Sequence, residues 1–447
     1  MAPHRQNNGK GDFAMTMLAE AQQMKEAIIA RRRDFHAYPE LAWTEFRTAS
    51  IVAAELQRLG YQVLTGRECM KEEERMGVPE GSEIESCRQR ALSEGADPAW
   101  VARMEGGHTG VVAIMHFRKP GRTVGRRFDM DCLRVDENPT RQHRPTAEGF
   151  ASRHPGLMHA CGHDGHTAIG LAAARLIAAH KDEMAGTVKL CFQPGEEGVM
   201  GARCMASSGI VDDVDYFLSG HIGLGSGTDS TLVCMAEGFL ATTKLDARFT
   251  GLPAHAGANP EKGRNALLAA AEASIALHTI SRHSGGSSRI NVGVLRAGTG
   301  RNVIPDTALI QFETRGETTA INEFMAAEAK RMVRAAADMY GVDVQMKEMG
   351  SAASCRCSRD MGEEICAYVK QLGCYENVLL EQAVSGSEDC SCFMSRVQEH
   401  GGKAVYMLYG TEEASGHHTS EFDFNEDVLP VSAATLAELV KYFGSHR

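Results

Sequence analysis

Short apolar runs alternate along the chain with longer stretches that have the spacing of amphipathic helices. Helices are predicted over residues 15–36, 45–59 and 167–179, and Gly60 is placed to end the second of them as a left-handed cap. The apolar runs are bounded by Gly or Pro, and they lie at residues 110–117, 188–192, 216–218 and 404–408. Strands and helices that alternate in this way predict an α/β protein with a sheet packed by helices.

Two segments depart from this alternation. Residues 70–107 are rich in charge and predict a helical insertion at the surface. Residues 238–350 are predicted to form a separate small domain, with its strands and helices in the order strand, helix, strand, strand, helix, strand at residues 242–250, 265–281, 289–297, 308–314, 319–340 and 342–347. A unit of that order can close as a ferredoxin-like α+β domain. We predict that it is inserted into a larger domain made of residues 1–237 and 351–447, with hinges near Gly238 and Ser351.

Length and composition narrow the class of protein. The 447 residues are enough for about two to three domains. Hydrophobic residues make up 43% and charged residues 23%, which excludes disordered, collagen-like and coiled-coil proteins. The net charge of −11 is spread along the chain and argues against a nucleic-acid partner. No apolar run reaches the length of about 18 residues that a membrane span needs.

The N-terminus and the cysteines bear on the cellular compartment. Residues 1–11 are polar and lack the apolar core of a signal peptide, so we expect a cytoplasmic protein. The 13 cysteines are odd in number and show no disulfide-like framework. They are therefore predicted to be reduced thiols, some of them metal ligands.

The densest cluster of metal-binding residue types is the sequence MHACGHDGHT at residues 158–167. Thiolate and imidazole are the usual ligands of zinc and related divalent ions, so Cys161 and His163 on one tight turn can bind one ion. The alternative is that a glycine-rich helix start simply needs Asp164 near its N-terminus, with the histidines as incidental polar neighbours.

Further candidate ligands follow other apolar runs. Glu196 and Glu197 follow one in FQPGEEG, where one carboxylate can coordinate a metal while the other holds a water as general base. His221 follows a second run in YFLSGHIG, and His417 and His418 follow a third in ASGHHTSEFDF. A solvated glutamate pair and satisfied core histidines are the ordinary alternatives. Ligands commonly gather at strand ends in open α/β sheets, and this favours a joint site.

Five further polar residues are weaker candidates. Asp129 and Asp131, in RFDMDCL, end a strand, and Asp131 can orient a ligand imidazole or serve only as a turn residue. His255, Asn302 and Arg315 lie in the predicted inserted domain, where they suit a developing oxyanion and a substrate carboxylate. The alternative for each is a turn or surface residue. The sequence contains no G-x-S-x-G, P-loop or H-E-x-x-H motif.

In this order the motifs resemble the co-catalytic metallopeptidase family of aminoacylases, carboxypeptidase G, hippurate hydrolases and plant auxin-conjugate hydrolases. The matching stretches lie within about residues 31–431 and are DMD, HACGHDGHT, QPGEEG, GHIG, AHAGANPEKGRNAL, GRNVIPDTA, GSED and GHH. The resemblance implies a metallopeptidase-type catalytic domain with an inserted lid or dimerisation domain. It also implies two divalent ions, Mn²⁺ or Zn²⁺.

The resemblance also implies roles for individual residues. It implies five metal ligands, which are Cys161, His163, Glu197, His221 and His418. Glu196 corresponds to the general base. His255, Asn302 and Arg315 match lid residues that reach the substrate, and the histidine typically serves the site of the partner subunit. In this interpretation Asp131 orients a ligand and His255 stabilises the oxyanion.

Two positions depart from the family pattern. Many relatives have a ligand histidine where Asp129 stands, and Cys161 is expected to take over metal binding, as in the hippurate-hydrolase branch. The usual sequence DALP is replaced by DCLR, which alters the loop after Asp131. The terminal ligand is either His417 or His418, and the alignment favours His418.

The resemblance implies a metal-dependent amidohydrolase that acts on an N-acyl amino acid. The sequences RRRDFHAYPELAWTEFRTA and VDDVDYF and the charged insertion point to the branch that cleaves p-aminobenzoyl-glutamate, a folate breakdown product. The alternatives are a hippurate-like or dipeptide substrate, and a subunit that is active only with a homologous partner. The assembly is expected to be a homodimer or such a heterodimer.

Overall fold

The computed structural model describes residues 17–225 and 228–446. The polar segment 1–11 and the first two positions of the helix predicted over residues 15–36 lie outside the described residues. Among the described residues, every helix is too short or too polar to span a lipid bilayer.

Twelve strands are described. They are β1 (Gln62–Thr65), β2 (Val111–His116), β3 (Lys119–Asp129), β4 (Ala185–Gln193), β5 (Tyr216–Ile222), β6 (Thr231–Glu237), β7 (Ala241–Thr250), β8 (Ser288–Ala297), β9 (Thr307–Gly316), β10 (Asp343–Ala352), β11 (Asn377–Ala383) and β12 (Lys403–Tyr409).

The α-helices within the described ranges alternate with these strands. They are α1 (Lys25–Ala37), α2 (Phe46–Arg58), α3 (Gly81–Ser93), α4 (Pro98–Val101), α5 (Arg144–Glu148), α6 (His163–Ala179), α7 (Ala202–Ala206), α8 (Ala266–His278), α9 (Thr319–Tyr340), α10 (Arg359–Leu372), α11 (Ser391–Glu399) and α12 (Val428–Gly444). Residues 17–23 are also helical and precede α1.

The larger sheet has eight strands in the order β1-β2-β4-β3-β5-β12-β6-β11. Its centre is parallel, because β3 pairs in parallel with β4 and β5, and β12 pairs in parallel with β5. Successive residues of β12 enter opposite cores: Val405 and Met407 pack on one face of the sheet, and Tyr406 and Leu408 on the other. The sheet is therefore covered on both faces, which explains the continuous apolar runs. The prediction of an α/β fold is confirmed.

The smaller sheet has four antiparallel strands in the order β10-β7-β9-β8. Helices α8 and α9 pack on one face, where they bury Leu245, Ala247 and Phe249 of β7. Lys244 alternates with these residues and so lies on the other face. The predicted order of strands and helices matches the structure.

The last strand of the smaller sheet is longer than the sequence predicts. We expected an end at residue 347 and a hinge near Ser351, but β10 continues to Ala352, and Ser351 pairs with Thr243. A bulge between Glu348 and Gly350 interrupts the alternation of side chains there, so the pattern alone stops too early. The domain boundaries themselves stay a prediction.

Two local predictions can be compared with the described backbone. Gly60 has a φ of +88°, which agrees with the expected left-handed cap. The charged segment 70–107 is helical in part, as expected, but it is not confined to the surface. Ile84, Trp100 and Met104 are buried in the main core, because the charged positions alternate with apolar ones that face inward.

A buried arginine fixes the start of α6 against α1 and the chain before α12. The Arg32 guanidinium is fully buried, and it contacts Asp164 at 2.8 Å, Asp423 at 3.0 Å and Glu426 at 3.2 Å. Asp164 also bonds to the backbone N–H of Gly165 and to the His36 ring. Burial acts to raise the pKa of Asp164, but Arg32 and His36 outweigh it and hold that pKa well below its usual range. The ion pair between Arg32 and Asp164 therefore fixes the first turn of α6, which carries His163.

Replacing this cation should destabilise the whole protein. We expect Arg32→Met to lower the free energy of unfolding by about 3–5 kcal/mol, because the fully buried Asp164 loses its arginine partner. The other two carboxylates lose one cation each and keep their contacts with Arg33 and Arg144. Urea denaturation followed by circular dichroism measures this. Arg331→Met is the matched control, since Arg331 is solvent-exposed and pairs with Glu328 on the surface of α9. Equal stability of the two variants would show that the buried cluster contributes nothing.

Candidate metal centre

The candidate residues gather at one edge of the larger sheet. Strands β3, β4, β5 and β12 run parallel, so their carboxyl ends meet at the same edge. Asp131 follows β3, Glu196 and Glu197 follow β4, and His221 lies at the end of β5. The loop after β12 adds two histidines, and the start of α6 adds Cys161 and His163 from the same side.

The donor atoms form two adjoining groups that share one sulfur. The first group is Cys161, His163 and His221, and the second is Cys161, Glu197 and His418, with the atoms of each group within 4.8 Å of one another. Cys161 Sγ lies 3.5 Å from His221 Nε2, and His163 Nε2 lies 3.7 Å from Glu197 Oε1. Sulfur, imidazole nitrogen and carboxylate oxygen form a donor set that suits zinc and manganese.

Two buried donor atoms point into this cluster without a partner. His163 Nδ1 donates to the carbonyl oxygen of Asp131 at 2.9 Å, so Nε2 is the ring nitrogen that faces the cluster. Within residues 17–225 and 228–446, neither His163 Nε2 nor Glu197 Oε1 has a hydrogen-bond partner. Buried polar atoms are rarely left unsatisfied, so these two fit the binding of a cation.

Asp131 holds the glutamate turn. Its Oδ1 accepts the backbone N–H of Glu196 at 2.9 Å, and its Oδ2 accepts that of Glu197 at 3.0 Å. Gly195, with a φ of +64°, supplies the left-handed backbone that the turn requires. The Asp131 carboxylate lies farther, at 3.4 Å, from His163 Nδ1. Asp131 therefore orients the imidazole through its carbonyl and the glutamates through its carboxylate.

Asp129 and His166 are already committed to other partners. His166 Nε2 accepts the backbone N–H of Ile222 at 2.9 Å, so its protonated Nδ1 donates to Asp129 Oδ1 at 2.6 Å. The other oxygen of Asp129 accepts from Arg127 at 2.6 Å. Although Asp129, His163 and His166 also form a compact group, both nitrogens of His166 are occupied. This group is a weaker candidate for an ion than the two that contain Cys161.

Glu196 lies against a buried acidic cluster that the sequence reasoning did not single out. Arg127 is fully buried and contacts Glu388 at 3.0 Å and Asp389 at 3.3 Å. Burial, together with Glu388 and Glu197, raises the pKa of Glu196 well above its usual value. A carboxylate with a raised pKa is suited to take a proton from water near neutral pH. The sequence GSED contained these acids, but nothing local showed that they are buried.

Glu197 differs from Glu196 in its surroundings. Burial raises the pKa of Glu197 to about 7, although the nearby His163 opposes the rise. His418 Nε2 lies 3.4 Å from Glu197 Oε2. A carboxyl with such a pKa would release its proton when it binds a cation.

Both histidines of the predicted terminal pair reach the site. His417 Nδ1 lies 3.5 Å from Cys161 Sγ, while its Nε2 contacts Glu413 at 2.9 Å. His418 has a left-handed φ of +63°, which costs roughly 1–3 kcal/mol for a residue other than glycine. This backbone turns the adjacent His418 imidazole toward Glu197. The choice of His418 as ligand stays a prediction.

A cavity of about 730 Å³ opens onto the cluster. Arg315 of β9 lines it, as the sequence suggested, and so does Lys244 of β7, which the sequence reasoning missed. His255 and Asn302 lie elsewhere, on two exposed loops that are joined by the hydrogen bond from Ala256 N–H to the Asn302 carbonyl oxygen. This chain therefore brings Arg315 to the cavity, and it does not bring His255 or Asn302 there.

The family model described as peptidase family M20/M25/M40 matches residues 126–442. Indole-3-acetyl-aspartic acid hydrolase from Enterobacter agglomerans is 49% identical over 417 residues, which cover 93% of this chain and 95% of that protein. One of the subunits of p-aminobenzoyl-glutamate hydrolase from Escherichia coli (strain K12) is 48% identical over 413 residues, which cover 92% and 94%. A solved structure, the aminobenzoyl-glutamate utilization protein from Klebsiella pneumoniae, has a TM-score of 0.81 at 40% identity and covers 96% of this chain and 98% of that one.

Loss of the Asp131 carboxylate should loosen the site. In Asp131→Asn the side chain keeps one acceptor for two backbone N–H groups, so we expect metal affinity to fall about 10- to 100-fold. Competition with a fluorescent chelator measures the dissociation constant. Asp338→Asn, on the exposed surface of α9, is the control and should leave it unchanged. Unchanged affinity in Asp131→Asn would contradict the role assigned to the turn.

Proposed function

The chain is a metal-dependent amidohydrolase that belongs to peptidase family M20/M25/M40, and we propose that it hydrolyses p-aminobenzoyl-glutamate to p-aminobenzoate and glutamate. One observation carries the proposal. A buried carboxylate, Glu196, belongs to neither of the two donor groups that share Cys161, although its Oε2 lies 3.9 Å from His163 Nε2 and it forms a compact group with His163 and Glu197. Structural metal sites are closed and have no need of such a spare carboxylate.

The substrate class is supported by the names of two relatives. One is a hydrolase of indole-3-acetyl-aspartic acid and the other of p-aminobenzoyl-glutamate, and each of these compounds joins an aromatic acyl group to an acidic amino acid. A cavity of about 730 Å³ falls within the range of roughly 300–1,000 Å³ that small-molecule sites span. Indole-3-acetyl-aspartate is the second candidate substrate, because that relative is 49% identical to the chain.

Five residues would hold two divalent ions, Mn²⁺ or Zn²⁺, and they are Cys161, His163, Glu197, His221 and His418. When bound, such ions polarise the amide carbonyl and lower the pKa of water. Glu196 accepts the proton of the attacking water and then delivers it to the nitrogen of the leaving amino acid. Asp131 holds the backbone N–H groups of Glu196 and Glu197, and so it fixes the turn from which both carboxylates would act.

The inserted unit would complete the site. Arg315 faces the cavity and is placed to bind a carboxylate of the glutamate portion. His255 and Asn302 would reach the site of a second copy or a homologous chain, with His255 stabilising the oxyanion there. A relative named as one subunit of a hydrolase supports an assembly of more than one chain, either a homodimer or a heterodimer with a homologous chain. The cytoplasmic location stays a prediction.

The direct test is amide hydrolysis by the purified chain, first metal-free and then with Mn²⁺ or Zn²⁺ added. We expect metal-dependent release of p-aminobenzoate, measured by chromatography, with indole-3-acetyl-aspartate and benzoyl-glycine as comparison substrates. Faster turnover of benzoyl-glycine than of p-aminobenzoyl-glutamate would show that the preferred substrates are hippurate-like amides. No turnover of any of these amides by the metal-loaded chain alone would contradict self-sufficiency, and adding a homologous second chain then distinguishes a missing partner from a wrong function.

Substitution of Glu196 and of Glu197 should have different effects on metal content. We expect Glu196→Gln to lower kcat about 10²- to 10⁴-fold while metal content is retained, because only the proton acceptor is removed. Glu197→Gln should lose bound metal together with activity. Metal analysis of the purified variants is the deciding measurement. Loss of metal in Glu196→Gln would mean that the base and ligand roles are wrongly divided.

A further inference from the structure

Lys244 places a second positive charge on the lid side of the cavity. It lies on β7, on the face of the small sheet that turns away from α8 and α9, and it is half-buried. Its Nζ lies 3.4 Å from the carbonyl oxygen of Glu197, the residue beside the proposed base. Its side chain therefore crosses from the small sheet to the edge of the large one, where the donor cluster lies.

No carboxylate neutralises this ammonium. Across residues 17–225 and 228–446, no Asp or Glu oxygen lies within 4.0 Å of Lys244 Nζ, and its one polar contact is the long hydrogen bond to Glu197. A bond of 3.4 Å is weak, because N–H···O bonds cluster between 2.7 and 3.2 Å. A half-buried ammonium with so little compensation is unfavourable unless a ligand supplies the negative charge.

The nearest candidate partner on the sheet is engaged elsewhere. Glu313 stands directly opposite Lys244 in the pairing of β7 with β9, but its Oε1 contacts Arg315 Nε at 2.8 Å. Arg315 stands opposite Thr242, so Arg315 and Lys244 are diagonal neighbours on the same face. The spacing of diagonal pairs is roughly 7–8 Å between Cα atoms. Two cations thus face one cavity, and one of them is held in place by Glu313.

This arrangement matches a ligand with two carboxylates. Glu196, Glu197 and Glu388 also line the cavity and repel an anion, so the carboxylates of a ligand are drawn to the two cations, Lys244 and Arg315. A single carboxylate needs only one of these cations. An amino acid with an acidic side chain offers one carboxylate to each.

We propose that Lys244 binds the side-chain carboxylate of an N-acylated dicarboxylic amino acid while Arg315 binds its α-carboxylate, so that the pair selects aspartyl and glutamyl substrates over neutral ones. This inference rests on the proposed amidohydrolase activity and specifies which amides the site accepts. Lys244 acts on the amino acid portion and takes no part in proton transfer.

The test compares p-aminobenzoyl-glutamate with p-aminobenzoyl-glutamine, which has the same shape without the side-chain charge. We expect the wild-type enzyme to favour the glutamate compound by about 10²-fold in kcat/KM, since leaving the half-buried ammonium of Lys244 without a partner is costly. In Lys244→Met the two kcat/KM values should differ by no more than about threefold, chiefly because kcat/KM for the glutamate compound falls. Lys244→Arg should keep part of it.

Lys347→Met is the matched control. Lys347 of β10 stands opposite Asp246 in the pairing of β10 with β7, on the same face of the small sheet as Lys244. It is exposed and does not line the cavity. Its variant should keep the wild-type preference. If Lys244→Met lowers kcat/KM equally for both amides, or if the wild-type enzyme does not distinguish them, the inference is wrong.

A binding measurement separates this inference from the proposed function. Calorimetric titration of the metal-loaded protein with free L-glutamate and L-glutamine should show tighter binding of glutamate, and Lys244→Met should abolish the difference. If no amide is hydrolysed but this difference is present, the proposed function fails and the carboxylate site stands. If amides are hydrolysed and the difference is absent, the carboxylate site fails alone.

Discussion

The side chain and carbonyl of Asp131 tie together three segments that are far apart in sequence. The carboxylate receives the N–H groups of Glu196 and Glu197 from the end of β4, and the carbonyl receives His163 Nδ1 from the start of α6. Asp131 alone thereby orients the proposed base Glu196 and two proposed ligands, Glu197 and His163. Because each of these bonds is to a backbone group or a ring nitrogen, the geometry does not depend on long flexible side chains. These bonds fix the backbone on which the proposed base and ligands stand.

Two fully buried arginines support that arrangement from different sides. Arg32 anchors the first turn of α6 through Asp164, and Arg127 lies beneath the glutamates between Asp129 and the acidic pair that precedes α11. Buried ion pairs add little net stability compared with apolar packing, and in some proteins they instead fix one arrangement of the chain. Here that arrangement is the position of the donor atoms. Burial and the neighbouring acids, Glu388 foremost, also raise the pKa of Glu196, which suits a proton acceptor.

Much of the fold and part of the site could be predicted from the sequence. Buried parallel strands produce continuous apolar runs, and the candidate ligands Glu197 and His221 lie at the ends of such runs. Cys161 was found from the local motif before α6. The role of Glu388 could not be predicted, because it depends on the proximity of Glu388 to Glu196, almost two hundred positions earlier in the chain. Lys244 carried no motif, because it alternates within an ordinary strand. The end of β10 was missed for a related reason, as a bulge breaks the alternation on which a strand prediction depends.

The left-handed backbone at His418 has a consequence for engineering this protein. Glycine adopts that conformation without the steric cost that histidine bears, so selection for thermal stability alone favours glycine at this position. Such a substitution would remove the imidazole that lies beside Glu197. At position 418 the residue that favours stability therefore differs from the residue that the proposed chemistry needs. A stabilised variant of this enzyme should be sought with that residue held constant and with the search directed at the helices behind the sheet.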